Sequence, residues 1–202
     1  MQIHLMPQKS PEWFAVRKLK LTASHAQEIA ACGKGLDTYV NNIVADAIAQ
    51  KEDEKYSNFD MERGKDMEDE ARTIYELETG NEVKEVGFIE LNESVGISPD
   101  GLVGDDGGVE IKRHDNNVFT KLVCSGDIDS KYEWQIYMSL FVTGRKWWDY
   151  VAYNPNYRRS IYIKRIYPDT EKFAKLQKGI EIGILKTKEH FEKMNKFIKN
   201  EA

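Results

Sequence analysis

Ser98-Pro99-Asp100-Gly101, followed by Val109-Glu110-Ile111-Lys112, is the stretch that decides how this chain folds. Proline and glycine around an aspartate make a turn, and Gly104-Asp105-Asp106-Gly107-Gly108 makes a second one. Residues 101–103 and 109–113 therefore read as two strands of a hairpin. On a strand, residues two apart share a face, so Glu110 and Lys112 point the same way while Ile111 packs behind them. Asp100, leaving the proline turn, comes to the same end. Asp100 and Glu110 are then hard oxygen ligands of the type that holds magnesium. An ammonium beside them can orient or deprotonate a metal-bound water, or neutralise a phosphate under attack. An ordinary turn followed by a surface strand is the competing reading, and the rest of the chain has to decide between them.

A length of 202 residues fits a single domain spanning the whole chain, with room for a substantial core. The amino terminus has no basic segment followed by an apolar core, and no window reaches membrane-spanning length, which points to a cytoplasmic protein without membrane association. Two cysteines, Cys32 and Cys124, are too few for a disulfide scaffold and are not spaced as a metal cluster; both are expected to be buried small apolar residues. A net charge of −5 argues against a general polyanion binder. The charges are unevenly spread, however. Arg17-Lys18, Lys20, Lys112-Arg113, Arg145-Lys146 and Arg158-Arg159 are local basic groups expected to line one surface, and acidic residues crowd 52–70 and 76–93. That distribution suits a protein whose positive field lies only where a nucleic-acid backbone runs.

Ser10 as cap and Pro11 at the first helical position start a helix that runs to about residue 18. Ser24 is expected to cap a short helix ending near Cys32-Gly33. A third helix is expected after Asp37, because Leu36, Val40, Ile43, Val44 and Ile48 recur on one face. Residues 51–58 read as a loop and 60–79 as a helix, with Met67, Ala71, Ile74, Tyr75 and Leu77 inward and Gly80 as its stop. Strands at 82–91, 95–97, 101–103 and 109–113 follow as a meander. Asn117 is expected to cap a short helix to residue 123. Asp129-Ser130 begins a stronger helix carrying Tyr132, Trp134, Ile136, Leu140 and Phe141, closed by Gly144. Strands at 147–153 and 160–166 precede a long helix whose inward positions are Phe173, Leu176, Ile180, Ile184, Phe191, Met194 and Phe197. Such an order of elements packs as an α/β sandwich around one mixed sheet. Trp147, Trp148 and Tyr150 read as core positions of a strand rather than base-stacking platforms.

Glu68 on the helix before the hairpin, Asp100 and Glu-x-Lys within it, and Gln135 on the helix after it form the ordered pattern of the restriction-endonuclease-like (PD-(D/E)xK) nuclease fold, a central mixed sheet flanked by helices. A wider set of motifs runs from about Trp13 to Tyr157: Trp13-x3-Arg17, Leu21-Thr22-Ala23-Ser24, Gly64-Lys65-x2-Glu68-x2-Ala71-Arg72, Ser98-Pro99-Asp100-Gly101-Leu102, Glu110-Ile111-Lys112, Gln135 and Tyr153-Asn154-Pro155. In these the chain resembles the phage-type recombination exonucleases, the YqaJ-like viral recombinase family to which lambda-type exonucleases belong.

The resemblance implies a magnesium-dependent exonuclease that digests the 5′ strand of linear double-stranded DNA to mononucleotides and leaves a 3′ overhang. It implies a homotrimeric ring, a single-strand annealing recombination protein as partner, and a phage or prophage gene expressed in a bacterial cytoplasm. Residue by residue, it assigns the metals to Asp100, Glu110 and the Ile111 carbonyl, with two Mg2+ ions per site and Mn2+ as a substitute. Lys112 is placed at the nucleophilic water, with Glu68 and Gln135 completing the site. Arg17, Ser24 and Ser98 align with a 5′-phosphate pocket. Val118 stands where a second pocket arginine is usual, and Arg113, His114 and Lys121 are the nearby substitutes. Lys34, in the Gly33-Lys34-Gly35 loop, Met61, placed to wedge into a duplex end, and Arg113 are further DNA contacts to test. A restriction-type or structure-specific endonuclease of the same fold would carry the same core residues.

Overall fold

Two neighbouring exposed residues, Lys84 and Glu85, interrupt what reads as one long strand and send its halves into different sheets. The computed structural model describes residues 1–50 and 59–200; the expected loop at 51–58 lies outside them. The chain opens with β1 (Gln2–His4), α1 (Pro11–Arg17), β2 (Leu21–Thr22), a 3-10 turn at Ala23–His25, α2 (Ala26–Ala31), α3 (Lys34–Ile48) and α4 (Phe59–Thr79). Then come β3 (Val83–Lys84), β4 (Phe88–Asn92), β5 (Val95–Ile97), β6 (Gly101–Val103) and β7 (Gly107–Arg113). The remainder is α5 (Asn116–Ser125), α6 (Ser130–Thr143), β8 (Trp147–Tyr153), β9 (Ile161–Ile166) and α7 (Thr170–Asn200).

The α/β fold class stands, but the strands form two sheets rather than one. Their orders are β1-β4-β5-β2 and β3-β6-β7-β8-β9. The expected meander is thus broken: β3 pairs with β6, while β4 pairs with β5 in the other sheet. Strict alternation fails at 84–85 and is followed by four consecutive buried residues, Val86 to Ile89, so no single pleat accommodates the segment. β1 and β2 had no periodic signal because they are short, and β1 leaves Ile3 exposed.

In the five-stranded sheet β7 and β8 run parallel, with Glu110 opposite Tyr150 and Lys112 opposite Ala152. Side chains alternate between two cores. Val109, Ile111, Val151 and Tyr153 pack with Ala71 and Tyr75 of α4 on one face. Trp148, Tyr150 and Ala152 pack with Ile136 and Leu140 of α6 on the other. The sheet is therefore the middle layer between helices, and Trp148 and Tyr150 belong to the core, as read. Gly108 has a reason here: a Cβ at that position would overlap the Trp148 ring.

Several local expectations change. α3 begins at Lys34, capped by Gly33 rather than after Asp37, so Lys34 is the exposed first residue of a helix and not part of a loop. Ser24 caps nothing; His25 is the residue before α2, and the Ser24 hydroxyl lies 3.3 Å from that of Thr22. Asp115, not Asn117, precedes α5. Leu77 is 80% exposed, and Met194 and Phe197 on the last turns of α7 are exposed as well. Both cysteines are free; Cys124 is exposed and Cys32 half-buried, so neither is a core residue. Other readings hold: Ser10 caps α1 by accepting the Trp13 N–H at 3.2 Å, Asp129 caps α6, and Gly80 and Gly144 end their helices in the left-handed region. Among the described residues no helix is long and apolar enough to cross a membrane.

Candidate active site

β6 and β7 pair through Gly101 and Val109, which leaves Asp100 and Glu110 as the next residues beyond the paired segment, at the end away from the turn. The Ile111 N–H donates to Asp100 Oδ2 at 2.7 Å and fixes that carboxylate. Glu110 points to the α6 face and is 1% exposed. Its Oε1 accepts the Gln135 amide at 2.5 Å and pairs with the Lys112 ammonium. Lys112 Nζ also lies 3.9 Å from Asp100 Oδ2 and 5.7 Å from the centre of the Tyr132 ring. Among the described residues Glu110 Oε2 is buried without a hydrogen-bond partner. Glu68, on α4, lines a cavity of about 290 Å3 together with Asp100. The five residues singled out from the sequence, Glu68, Asp100, Glu110, Lys112 and Gln135, thus gather at one place from three elements, α4, β7 and α6, and a turn.

The electrostatics follow from this packing. Burial, and then the charge of Asp100, push the Glu110 carboxyl up, against the pull of Lys112. Glu68 is raised to about 7 by burial and Asp100, opposed by Arg72 and Lys112. Burial alone would lower the Lys112 ammonium, but Glu110 and Asp100 outweigh it and hold it above the usual lysine value. In the protein's own field Lys112 is a firm cation, suited to stabilising negative charge and ill suited to taking a proton. As the side chains stand, no group of three or more acidic, histidine or cysteine residues among those described is already gathered to hold a metal ion. Lys112 bridges Glu110 and Asp100 instead.

A second group lies on the other sheet. Ser98 Oγ accepts from Trp13 Nε1 at 2.9 Å and from Arg17 Nη1 at 2.8 Å. The Arg17 guanidinium stacks 4.1 Å from the Trp13 ring centre, and burial lowers its pKa from the ordinary value. Arg17 acts electrostatically on His25 and Tyr39, whose rings stack at 3.8 Å beside the turn carrying Ser24. Arg17 and Ser98 are therefore in direct contact, and Ser24 is exposed on the neighbouring turn.

The remaining expectations divide. Arg113 is exposed at the end of β7 and Lys121 is exposed on α5. His114 is buried, with Nε2 2.5 Å from Tyr150 Oη, which removes it as a substitute phosphate ligand. The side chain of Met61 falls outside those described. The basic groups do not share one surface: Arg145 donates to the carbonyls of Val103, Gly104 and Gly107 at the opposite end of β7 from Lys112, and Lys20 pairs with Glu90. Sequence reading passed over Arg72, which pairs with Glu85, Asp69 and Glu68 at 2.7, 3.2 and 3.6 Å, and Tyr132, beside Lys112. The periodicity gave no sign of either role. Only the Ala71-Arg72 motif drew attention to the arginine.

A carboxylate-rich hairpin end with one lysine, on a mixed sheet between helices, defines a nuclease of the restriction-endonuclease-like fold. Residues 12–146 match the YqaJ-like viral recombinase domain, and the chain belongs to that family. Among solved structures it is similar to LHK-Exo, an alkaline exonuclease from Laribacter hongkongensis, with a TM-score of 0.85 and 28% identity over 96% of this chain and 100% of that one. The structure of LHK-Exo in complex with dAMP matches equally well, with the same TM-score, identity and coverage. A phage-related exonuclease from Haemophilus somnus 129PT shares the fold at 14% identity and a TM-score of 0.65, over 90% of this chain and 99% of that one. No curated protein sequence matches the chain.

Proposed function

We propose that this phage-type exonuclease uses magnesium to hydrolyse one strand of linear double-stranded DNA from its 5′ end, releasing mononucleotides and leaving a 3′ overhang for recombination by strand annealing. The observation that carries the reading is the unpartnered Glu110 Oε2, buried where Asp100, Lys112 and Gln135 converge. An orphaned buried polar atom costs about 1–3 kcal/mol, and more when charged. A hard cation with oxygen ligands would satisfy it. The residues present fit such an ion: Asp100, Glu110 and the Ile111 carbonyl would hold magnesium, two ions per site, with manganese as a substitute. When bound, the ions supply Lewis-acid stabilisation of the phosphate and activation of the attacking water.

The chain's own groups supply the rest. Gln135 fixes the Glu110 carboxylate through Oε1, and the Ile111 N–H fixes Asp100. Lys112 offsets the charge that accumulates on the phosphate oxygens in the transition state. Glu68 completes the acidic wall of the cavity. Arg17 and Ser98, with Ser24 beside them, offer a cation and hydroxyls to a terminal 5′-phosphate. The deoxynucleoside monophosphate seen with LHK-Exo is of the product class this reaction releases, which supports the reading.

Retention on DNA is the work of a closed homotrimeric ring of single-domain chains, since a net charge of −5 gives little diffuse attraction to a polyanion. Light scattering is expected to give three times the chain mass of 23.4 kDa. The single-strand annealing partner acts on the exposed 3′ strand. A 5′-phosphorylated linear duplex labelled on each strand tests the reaction: the 5′ strand is lost as mononucleotides and a closed circle survives. Cleavage of the circle would assign the site to a restriction-type or structure-specific endonuclease instead.

A further inference from the structure

The amino-terminal arm, residues 1–9, precedes the segment matched by the family and yet walls the active site. β1 pairs along β4, and the Gly87 N–H donates to the His4 carbonyl at 3.0 Å. A Cβ at Gly87 would collide with the Met6 carbonyl, so only glycine admits the arm at this crossing. The Gln8 side-chain amide then reaches the Val86 carbonyl at 3.3 Å and the Pro99 carbonyl at 2.9 Å, the latter on the residue before Asp100. Lys9 sits at φ +67°, a left-handed conformation that a lysine adopts only where its surroundings impose it. The arm is therefore seated against the catalytic turn.

Lys9 lines the cavity that holds Glu68, Arg72 and Asp100. Arg72 is committed to three carboxylates. Lys9, by contrast, has no carboxylate within ion-pair distance among the described residues, and its charge acts on Glu68 only through space. A polyanionic strand led past Glu68 and Asp100 needs a cation that those acids have not already neutralised. We propose that Lys9 binds a backbone phosphate of the DNA strand entering this cavity, a contact separate from the one at Arg17 and Ser98, neither of which lines it. This rests on the DNA reaction proposed above.

The test measures binding of a 5′-phosphorylated duplex to the full chain by fluorescence anisotropy in chelator, across a salt series. Lys9→Asn removes the charge while tolerating the left-handed backbone, and Lys9→Arg keeps it. Loss of one phosphate contact lowers the slope of log affinity against log salt by about 1. It also weakens binding at low salt roughly fivefold. Lys9→Arg is expected to retain the wild-type slope. A wild-type slope in Lys9→Asn overturns the contact, as does a change confined to kcat, which would mean that Lys9 serves only Glu68. Wild-type chain that digests linear duplex while Lys9→Asn binds normally refutes this inference alone. Wild-type chain that neither binds nor digests duplex refutes the reaction and the contact together.

Discussion

The two polar centres of this protein are built by different means. Around Asp100, Glu110 and Lys112 the backbone sets the positions: a paired hairpin, a parallel partner strand and a capped helix leave the side chains little choice. Around Arg17 and Ser98 the positions depend on side chains, with Trp13 stacking on one group and donating to the other. The first centre is supported by a core on each face of its sheet; the second joins a seven-residue helix with no buried residue to Ser98, just beyond the buried strand β5. On the proposed function, chemistry that demands fixed geometry falls to the centre positioned by the backbone, and recognition of a 5′ end to the centre positioned by side chains.

The largest effects should come from the rigid centre. Asp100→Ala, Glu110→Gln and Lys112→Ala are each expected to lower hydrolysis about a thousandfold or more, with folding and binding to duplex ends retained. Glu110→Gln is preferred to alanine because it keeps an acceptor oxygen for the Gln135 amide and leaves no cavity at a fully buried position. Near-normal turnover by purified Lys112→Ala would remove the ammonium from the mechanism.

Next come the residues that hold that centre from its flanks. Gln135→Ala and Glu68→Ala should slow turnover by about 10- to 100-fold, measured as kcat at saturating magnesium. Wild-type rates in both would reduce the centre to the hairpin alone.

A smaller and different effect is expected from the adjustable centre. Arg17→Ala should raise KM for a 5′-phosphorylated duplex about tenfold and leave a 5′-hydroxyl duplex nearly unaffected. Trp13→Phe, which keeps the ring and loses the N–H, should fall between wild type and Arg17→Ala. Equal losses on both duplexes would show that Arg17 is structural and that the contrast between the centres is false.

The smallest effect concerns pH. Glu68 has a folded value of about 7, above the ordinary carboxylate value of 4.5, so the fold favours its protonated form. Its stability contribution is complete below pH 4.5, declines as pH rises toward 7, and is absent above. In chelator, therefore, Glu68→Gln should flatten the fall in Tm of the metal-free protein between pH 5 and 8. An unchanged profile would place Glu68 in water rather than in the acidic wall.

Much of this was legible in the chain itself. Helix starts and stops announced themselves chemically: Ser10-Pro11, Asp129-Ser130, Gly80 and Gly144 act through their own hydroxyls, carboxylates and backbone freedom, and each stands where it was read. The same holds for the Glu-x-Lys face of β7, because a period of two needs no distant partner. Failures came where local chemistry had two outlets. Ser24 is a good cap in isolation, but its hydroxyl pairs with Thr22. Arg145-Lys146 is a plausible DNA contact until three carbonyls at a turn claim the arginine.

What sequence alone determined, then, is the set of groups and their order: the carboxylates, the lysine, the flanking Glu68 and Gln135, and the strand–helix alternation that carries them. Only the tertiary structure decided that 82–91 divides between two sheets, that Arg72 balances Glu68, that Glu110 keeps one oxygen unpartnered among the described residues, and that the amino-terminal arm packs beside the turn carrying Asp100. The physical reason is range. Turn, cap and pleat preferences act over a few residues, whereas burial, ion pairing and hydrogen-bond satisfaction depend on neighbours brought in from 25 to 91 positions away, as the Gln135–Glu110 and Gln8–Pro99 contacts show.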